Sequence, residues 1–280
     1  MTTLDDTLDL TILIVVSLLP ALLYLAYVRR TERYAQEAWG PLLRAFAYGA
    51  VFATVAAAFV EGIVVAVGTA TSQQFPQPEF AFLNGNSTLG AFFLVLVIAP
   101  FVEEALKGAG VTSFGSQFRV LADGPVFGAS VGLGFGFFET FLYGLGAFLI
   151  GGLAAGITLI LIRSVSSVLL HGSSTGMFGY GYARSRFNAP GPGTGSYYLL
   201  AVGMHAGFNA LASLAAILAF VGFTGFTVDA ATFLGLIAAI GFALAAIEHV
   251  RSVIQTADYP ALVLGSQRFQ PGRKQPRKPS

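Results

Sequence analysis

The chain has 280 residues, 55% of them apolar and only 10% charged, with a formal net charge of +1. That balance excludes the soluble globular and disordered classes, and it gives no electrostatic footprint for nucleic acid. With no cysteine there are no disulfides, thiol nucleophiles or thiolate metal sites, so any chemistry falls to carboxylates, imidazoles, amides and hydroxyls.

A membrane-spanning helix needs about 20 mostly apolar residues. Runs of that kind lie near 10 to 28, 42 to 67, 89 to 109, 125 to 148, 153 to 182, 197 to 221 and 230 to 250, which predicts an all-α, polytopic membrane bundle of about seven helices. The first run follows Asp5, Asp6 and Asp9 and precedes Arg29 and Arg30, the reverse of the charge order of a secretory signal, so it reads as a retained helix. Among the loops between runs, arginine occurs only after alternate runs: Arg29, Arg30 and Arg33, then Arg119, then Arg184 and Arg186, then Arg251 and the basic tail. Positive charge marks the cytoplasmic side, which predicts an external N-terminus and a cytoplasmic C-terminus. The expected organisation is one transmembrane domain over residues 1–263, in a cell membrane, and a polar, proline-rich, disordered tail over 264–280.

Small residues four apart allow close helix contact. Gly128, Gly132 and Gly136 recur so in the fourth run, and Gly152 with Gly156 and Gly172 with Gly176 in the fifth, which marks these two as inner helices.

Ionisable groups at membrane depth cost roughly 2.5 to 3.5 kcal/mol each on insertion scales, and they usually face the bundle interior. Arg44 and Glu61 stand near helix ends, from where their side chains can snorkel, and Glu248 and His249 at the inner end of the last run are solvated. Arg163 and Glu139 share a depth and predict an ion pair. The stretch "FVEEALKGAG" places Glu103, Glu104 and Lys107 in the third run, and by helix rise these share the cytoplasmic half of the bilayer with His171 and His205. Glu103 and Lys107 lie four apart on one helix face, as do His205 and Asn209. Each pair alone reads as ordinary structure, but four polar groups converging from three helices predict a shared site.

Two chemistries fit that set. A carboxylate beside another in an apolar site can deprotonate water, with the N–H groups of His205 and Asn209 binding the oxyanion formed at a peptide carbonyl. Alternatively, Glu104, Glu139, His171 and His205 suffice as oxygen and nitrogen ligands for zinc, with one carboxylate left as base. H-E-x-x-H does not occur, nor any nucleotide-binding loop.

In chain order "EEALK" (Glu103, Glu104, Lys107), "FGFFE" (Phe135 to Glu139), His171 and "HAGFN" (His205 to Asn209) resemble the E-E-x-x-K, F-x-x-x-E, H and H-x-x-x-N motifs of the PrsW family of intramembrane proteases, related to the type II CAAX-prenyl endopeptidases and the CPBP proteases. The resemblance covers about residues 90–215. It implies a membrane-embedded endopeptidase acting on a membrane-bound protein or peptide, in some members an anti-sigma factor. By position Glu103 would be the water-activating base and Glu104 its supporting carboxylate. His205 and Asn209 would stabilise the oxyanion, with His171 and Glu139 completing the site. Lys107 stands where the prenyl endopeptidases carry an arginine one residue later, and Glu139 where they carry histidine, so a prenylated substrate is not implied. An ion- or proton-coupled transporter and a noncatalytic scaffold are the alternatives. The depth of the polar set favours entry from the cytoplasmic side.

Overall fold

The computed structural model describes residues 3–34 and 36–268, with side-chain surroundings for 7–34 and 36–258. Among the described residues there is no strand. The helices are α1 (Thr3–Thr31), α2 (Trp39–Gln74), α3 (Thr88–Ser113), α4 (Asp123–Ser164), α5 (Ser167–Arg186), α6 (Thr194–Ala212), α7 (Leu214–Phe220) and α8 (Phe226–Arg268). A lipid solvent dictates this menu, because a helix satisfies every backbone group within its own segment. A lipid solvent also tolerates large apolar side chains left on the surface, Ile150 at 93% and Phe226 at 86% exposure among them.

Five helical stretches are long and apolar enough to cross a membrane, six if the bent pair α6 and α7 is one span. One of the five, Asp123–Arg186, is 64 residues long and doubles back on itself at Gly152. There the backbone takes φ 77°, a conformation costly for any side chain. The two arms pack antiparallel along their length. A Cβ on Gly132 would sit 2.0 Å from the His171 carbonyl oxygen, and one on Gly128 2.3 Å from that of Thr175, so glycine alone permits the approach. The expected inner helices are thus α4 and α5, and their buried faces, including Phe127, Leu133 and Leu170, form the core against which α1, α2 and α8 pack.

Both ends of the bundle are tied down by polar groups. The Asp123 carboxylate, at the first residue of α4, accepts from the backbone N–H groups of Arg119 and Val120. Asp258 on α8 accepts from the N–H groups of Arg33 and Tyr34 after α1. At the other end, Ser87 caps α3 by accepting the Gly90 N–H at 3.0 Å. The final helix continues to Arg268, past the expected domain boundary at 263, and the rest of the expected tail, 269–280, lies outside the described residues.

Candidate active site

Four helices, α3, α4, α5 and α6, supply the polar centre. The segment Leu94–Ile98 of α3 is wound as a π-helix, a form in which each carbonyl pairs with the N–H five residues on. For Val95 that residue is Pro100, which has no N–H. The Asn209 side chain of α6 fills the gap, its Nδ2 donating to the Val95 carbonyl at 2.9 Å. This contact fixes α6 to α3 about two turns ahead of Glu103.

Beyond Pro100, Glu103, Glu104 and Lys107 are all buried. Glu104 accepts at Oε1 from Lys107 Nζ (2.7 Å), Ser174 Oγ (3.0 Å) and His205 Nδ1 (3.1 Å), and at Oε2 from Thr175 Oγ1 (3.3 Å). A fully buried carboxylate is tolerable only with such pairing. Because its other donors make Glu104 an acceptor, the His205 proton belongs on Nδ1, which leaves the Nε2 lone pair facing Glu103 Oε2 at 3.9 Å.

His171 mirrors this arrangement. Its Nε2 meets Glu139 Oε2 at 2.8 Å, and its Nδ1 accepts from Lys107 Nζ at 2.9 Å, so the ring proton belongs on Nε2 and the Nδ1 lone pair faces inward. Nδ1 lies 4.0 Å from the same Glu103 Oε2. Glu139 is held in turn by Arg163 Nη2 at 2.6 Å, the ion pair expected from their shared depth, and Arg163 also donates to Ser167 at 2.9 Å. Phe135 packs its ring on His171, with centroids 5.1 Å apart, and carries the Lys107 ammonium over its face at 4.4 Å.

Glu103 is the exception in this network. Its Oε2 is buried and without a hydrogen-bond partner, and Lys107 Nζ stands 3.5 Å away as an ion pair only. One donor atom each from Glu103, His171 and His205 lie within 4.8 Å of one another. Two imidazoles and a carboxylate form a catalytic zinc ligand set, and imidazoles that ligate a metal usually give their other N–H to a carboxylate or carbonyl. Here Glu104 and Glu139 are those carboxylates. The residues present therefore fit a divalent metal, with an orphan oxygen and two inward lone pairs as donors. Glu104 and Glu139, both considered as ligands from the sequence, stand one bond further out, on the far side of the imidazoles.

A cavity of about 250 Å³ opens on this centre, with Glu103, His171, His205 and Asn209 in its wall. It extends past Arg163 and Glu61 to Ser213, where α6 bends by 67° into α7. Sequence reasoning placed Glu61 at a helix end and missed it as a cavity residue. Ser174 and Thr175 were missed too, although they stand three and four residues after His171, on the helical positions that share its face.

The fold and the site together define a multi-pass membrane protein with a buried carboxylate and imidazole centre fitted to a metal. Residues 37–245 match the family described as PrsW family intramembrane metalloprotease, which is most of the chain, and the chain belongs to that family. No match was found among curated proteins or among solved structures. Family membership makes it a membrane-embedded peptidase and disfavours the transporter and scaffold alternatives.

Proposed function

We propose that the protein is an endopeptidase of the cell membrane that hydrolyses peptide bonds in membrane-bound protein substrates, with Glu103, His171 and His205 holding a zinc ion. The observation that carries this reading is the unpartnered Glu103 Oε2 facing two imidazole nitrogens whose opposite nitrogens are held by carboxylates. When bound, such an ion polarises a carbonyl and lowers the pKa of water. The rest belongs to the chain itself. Glu104 and Glu139 orient the imidazoles and fix which ring nitrogen of each faces inward. Glu103 takes the proton from the attacking water through the carboxylate oxygen it does not commit to the ion. His205, whose N–H is given to Glu104, acts as ligand rather than oxyanion donor, and the second amide N–H of Asn209 serves the oxyanion.

The chain crosses the bilayer seven times in this reading, with the arms of α4 on either side of Gly152 counted separately and the N-terminus outside. Substrate then enters from the outer half of the bilayer, where α6 breaks at Ser213 and the cavity wall holds Glu61 and Arg163. The depth of the carboxylates alone had favoured the opposite side. The test is cleavage of a co-expressed membrane-protein substrate by wild type and by Glu103→Gln, His171→Ala and His205→Ala. The reading requires cleavage to vanish in all three while expression and detergent-solution folding persist, and full activity in any of them refutes it.

A further inference from the structure

Lys107 is a fully enclosed charge, with no exposed surface, and the hydrolytic reading gives it no task. Its ammonium touches Glu104 Oε1 at 2.7 Å, His171 Nδ1 at 2.9 Å and Glu103 Oε2 at 3.5 Å. Two of these three atoms are donors of the metal set. His171 Nδ1 carries a single lone pair in the ring plane, because its Nε2 proton is given to Glu139. That lone pair either accepts the Lys107 N–H or binds a metal. It cannot do both, and two cations sharing Glu103 Oε2 repel in a low-dielectric interior.

We propose that Lys107 is an internal competitor for the metal: its ammonium holds the donor set together in the metal-free protein and must withdraw from His171 for a divalent ion to bind. Glu104 gives it somewhere to go. The 2.7 Å contact to Oε1 does not involve His171, so the ammonium keeps one strong charge-assisted bond while releasing the imidazole. Lys107 thereby sets both the integrity of the empty site and the weakness with which it holds metal. The inference rests on the proposed ligand set and concerns how this chain tunes it.

The test is a zinc titration of the purified full chain in detergent, stripped with a chelator and read by competition with a chromophoric chelator at fixed pH. Wild type, Lys107→Met, Lys107→Gln and the His171→Ala/His205→Ala pair are compared, with thermal unfolding recorded in parallel. Both Lys107 variants are expected to bind one zinc at least about tenfold more tightly than wild type. They should also unfold at lower temperature than wild type without metal and gain more from its addition. Equal or weaker binding in the variants, with wild-type binding still dependent on the two histidines, overturns the proposal. Wild-type binding unchanged by loss of both histidines overturns the ligand set itself. Should neither Lys107 variant fold, a structure of zinc-loaded wild type decides: Lys107 Nζ must lie beyond hydrogen-bond distance of His171 Nδ1, and retention of that contact beside a bound ion contradicts the proposal.

Discussion

His205 and Glu104 are joined through Nδ1 and Oε1 at 3.1 Å, a contact between helices separated by 101 residues of sequence. It fixes which imidazole nitrogen faces the cavity, and with it the direction of the chemistry. Glu104 also anchors Lys107, Ser174 and Thr175, so it organises α3, α5 and α6 at once.

Glu104→Gln places an amide donor among groups that are themselves donors. Breaking one partner of a buried ion pair costs roughly 3–5 kcal/mol. Unfolding in a mixed-micelle denaturant series should show destabilisation on that order together with lost cleavage. Wild-type stability in this variant would show that the network is not paired as described.

Gly132→Ala drives a methyl into the His171 carbonyl, 2.0 Å from the new Cβ. Since both partners are helix backbone, α4 and α5 must separate. The expected cost is about 1–3 kcal/mol, as for overpacking elsewhere, with His171 displaced and activity lost. Gly146→Ala, with nothing within 4 Å of its Cβ, is the control and should be neutral or slightly stabilising. Equal effects from the two would remove close packing as the cause.

Asn209→Leu leaves the Val95 carbonyl without its donor, and the proline five residues on offers none. The loss is expected to be about 1 kcal/mol, modest beside the change at the site. The π-helical turn leading to Glu103 should rewind, and kcat should fall more than KM rises. A variant with unchanged kcat would assign Asn209 to packing alone.

Glu32 follows α1 and is buried at 2% exposure, with Oε2 accepting the Glu37 N–H and Oε1 unpartnered. Burial, and to a lesser degree the Asp123, Glu37 and Asp258 carboxylates around it, push its pKa up to about 8, against the backbone bond that lowers it. The folded state therefore holds this proton over a range where the unfolded chain, at 4.5, has released it. The stability due to the protonated form is complete below about pH 4.5 and declines as pH rises toward about 8, by roughly 1.4 kcal/mol per unit at most. Thermal unfolding across that window should show the decline in wild type and a flatter profile in Glu32→Gln. Parallel profiles would assign the pH dependence to other groups.

Much of this architecture is written in local pattern. Apolar runs announce the helices, and the fourfold glycine spacing at Gly128 and Gly132 announces the tight α4 and α5 contact, because both depend on neighbours along one helix. The same holds for Glu103 with Lys107 on one helical face. What one-dimensional spacing does not carry is pairing across helices. Glu104 and Glu103 are adjacent and chemically identical, yet one is saturated with donors and the other left bare, and only the rotation of α3 against α5 and α6 decides which. The π turn at Leu94–Ile98 sets that rotation, and its one local trace is Pro100. The break at Ser213 and the cavity reaching Glu61 depend on how α6 and α7 lie against α2 and α3, a relation between distant segments.

The most direct test of the ligand set is a structure of the protein grown with zinc, with anomalous scattering collected at the zinc edge. A single peak bonded to Glu103 Oε2, His171 Nδ1 and His205 Nε2, with Glu104 and Glu139 still on the opposite ring nitrogens, is the predicted result. A peak ligated by Glu104 or Glu139 in place of Glu103, or no zinc among these three residues, would contradict it.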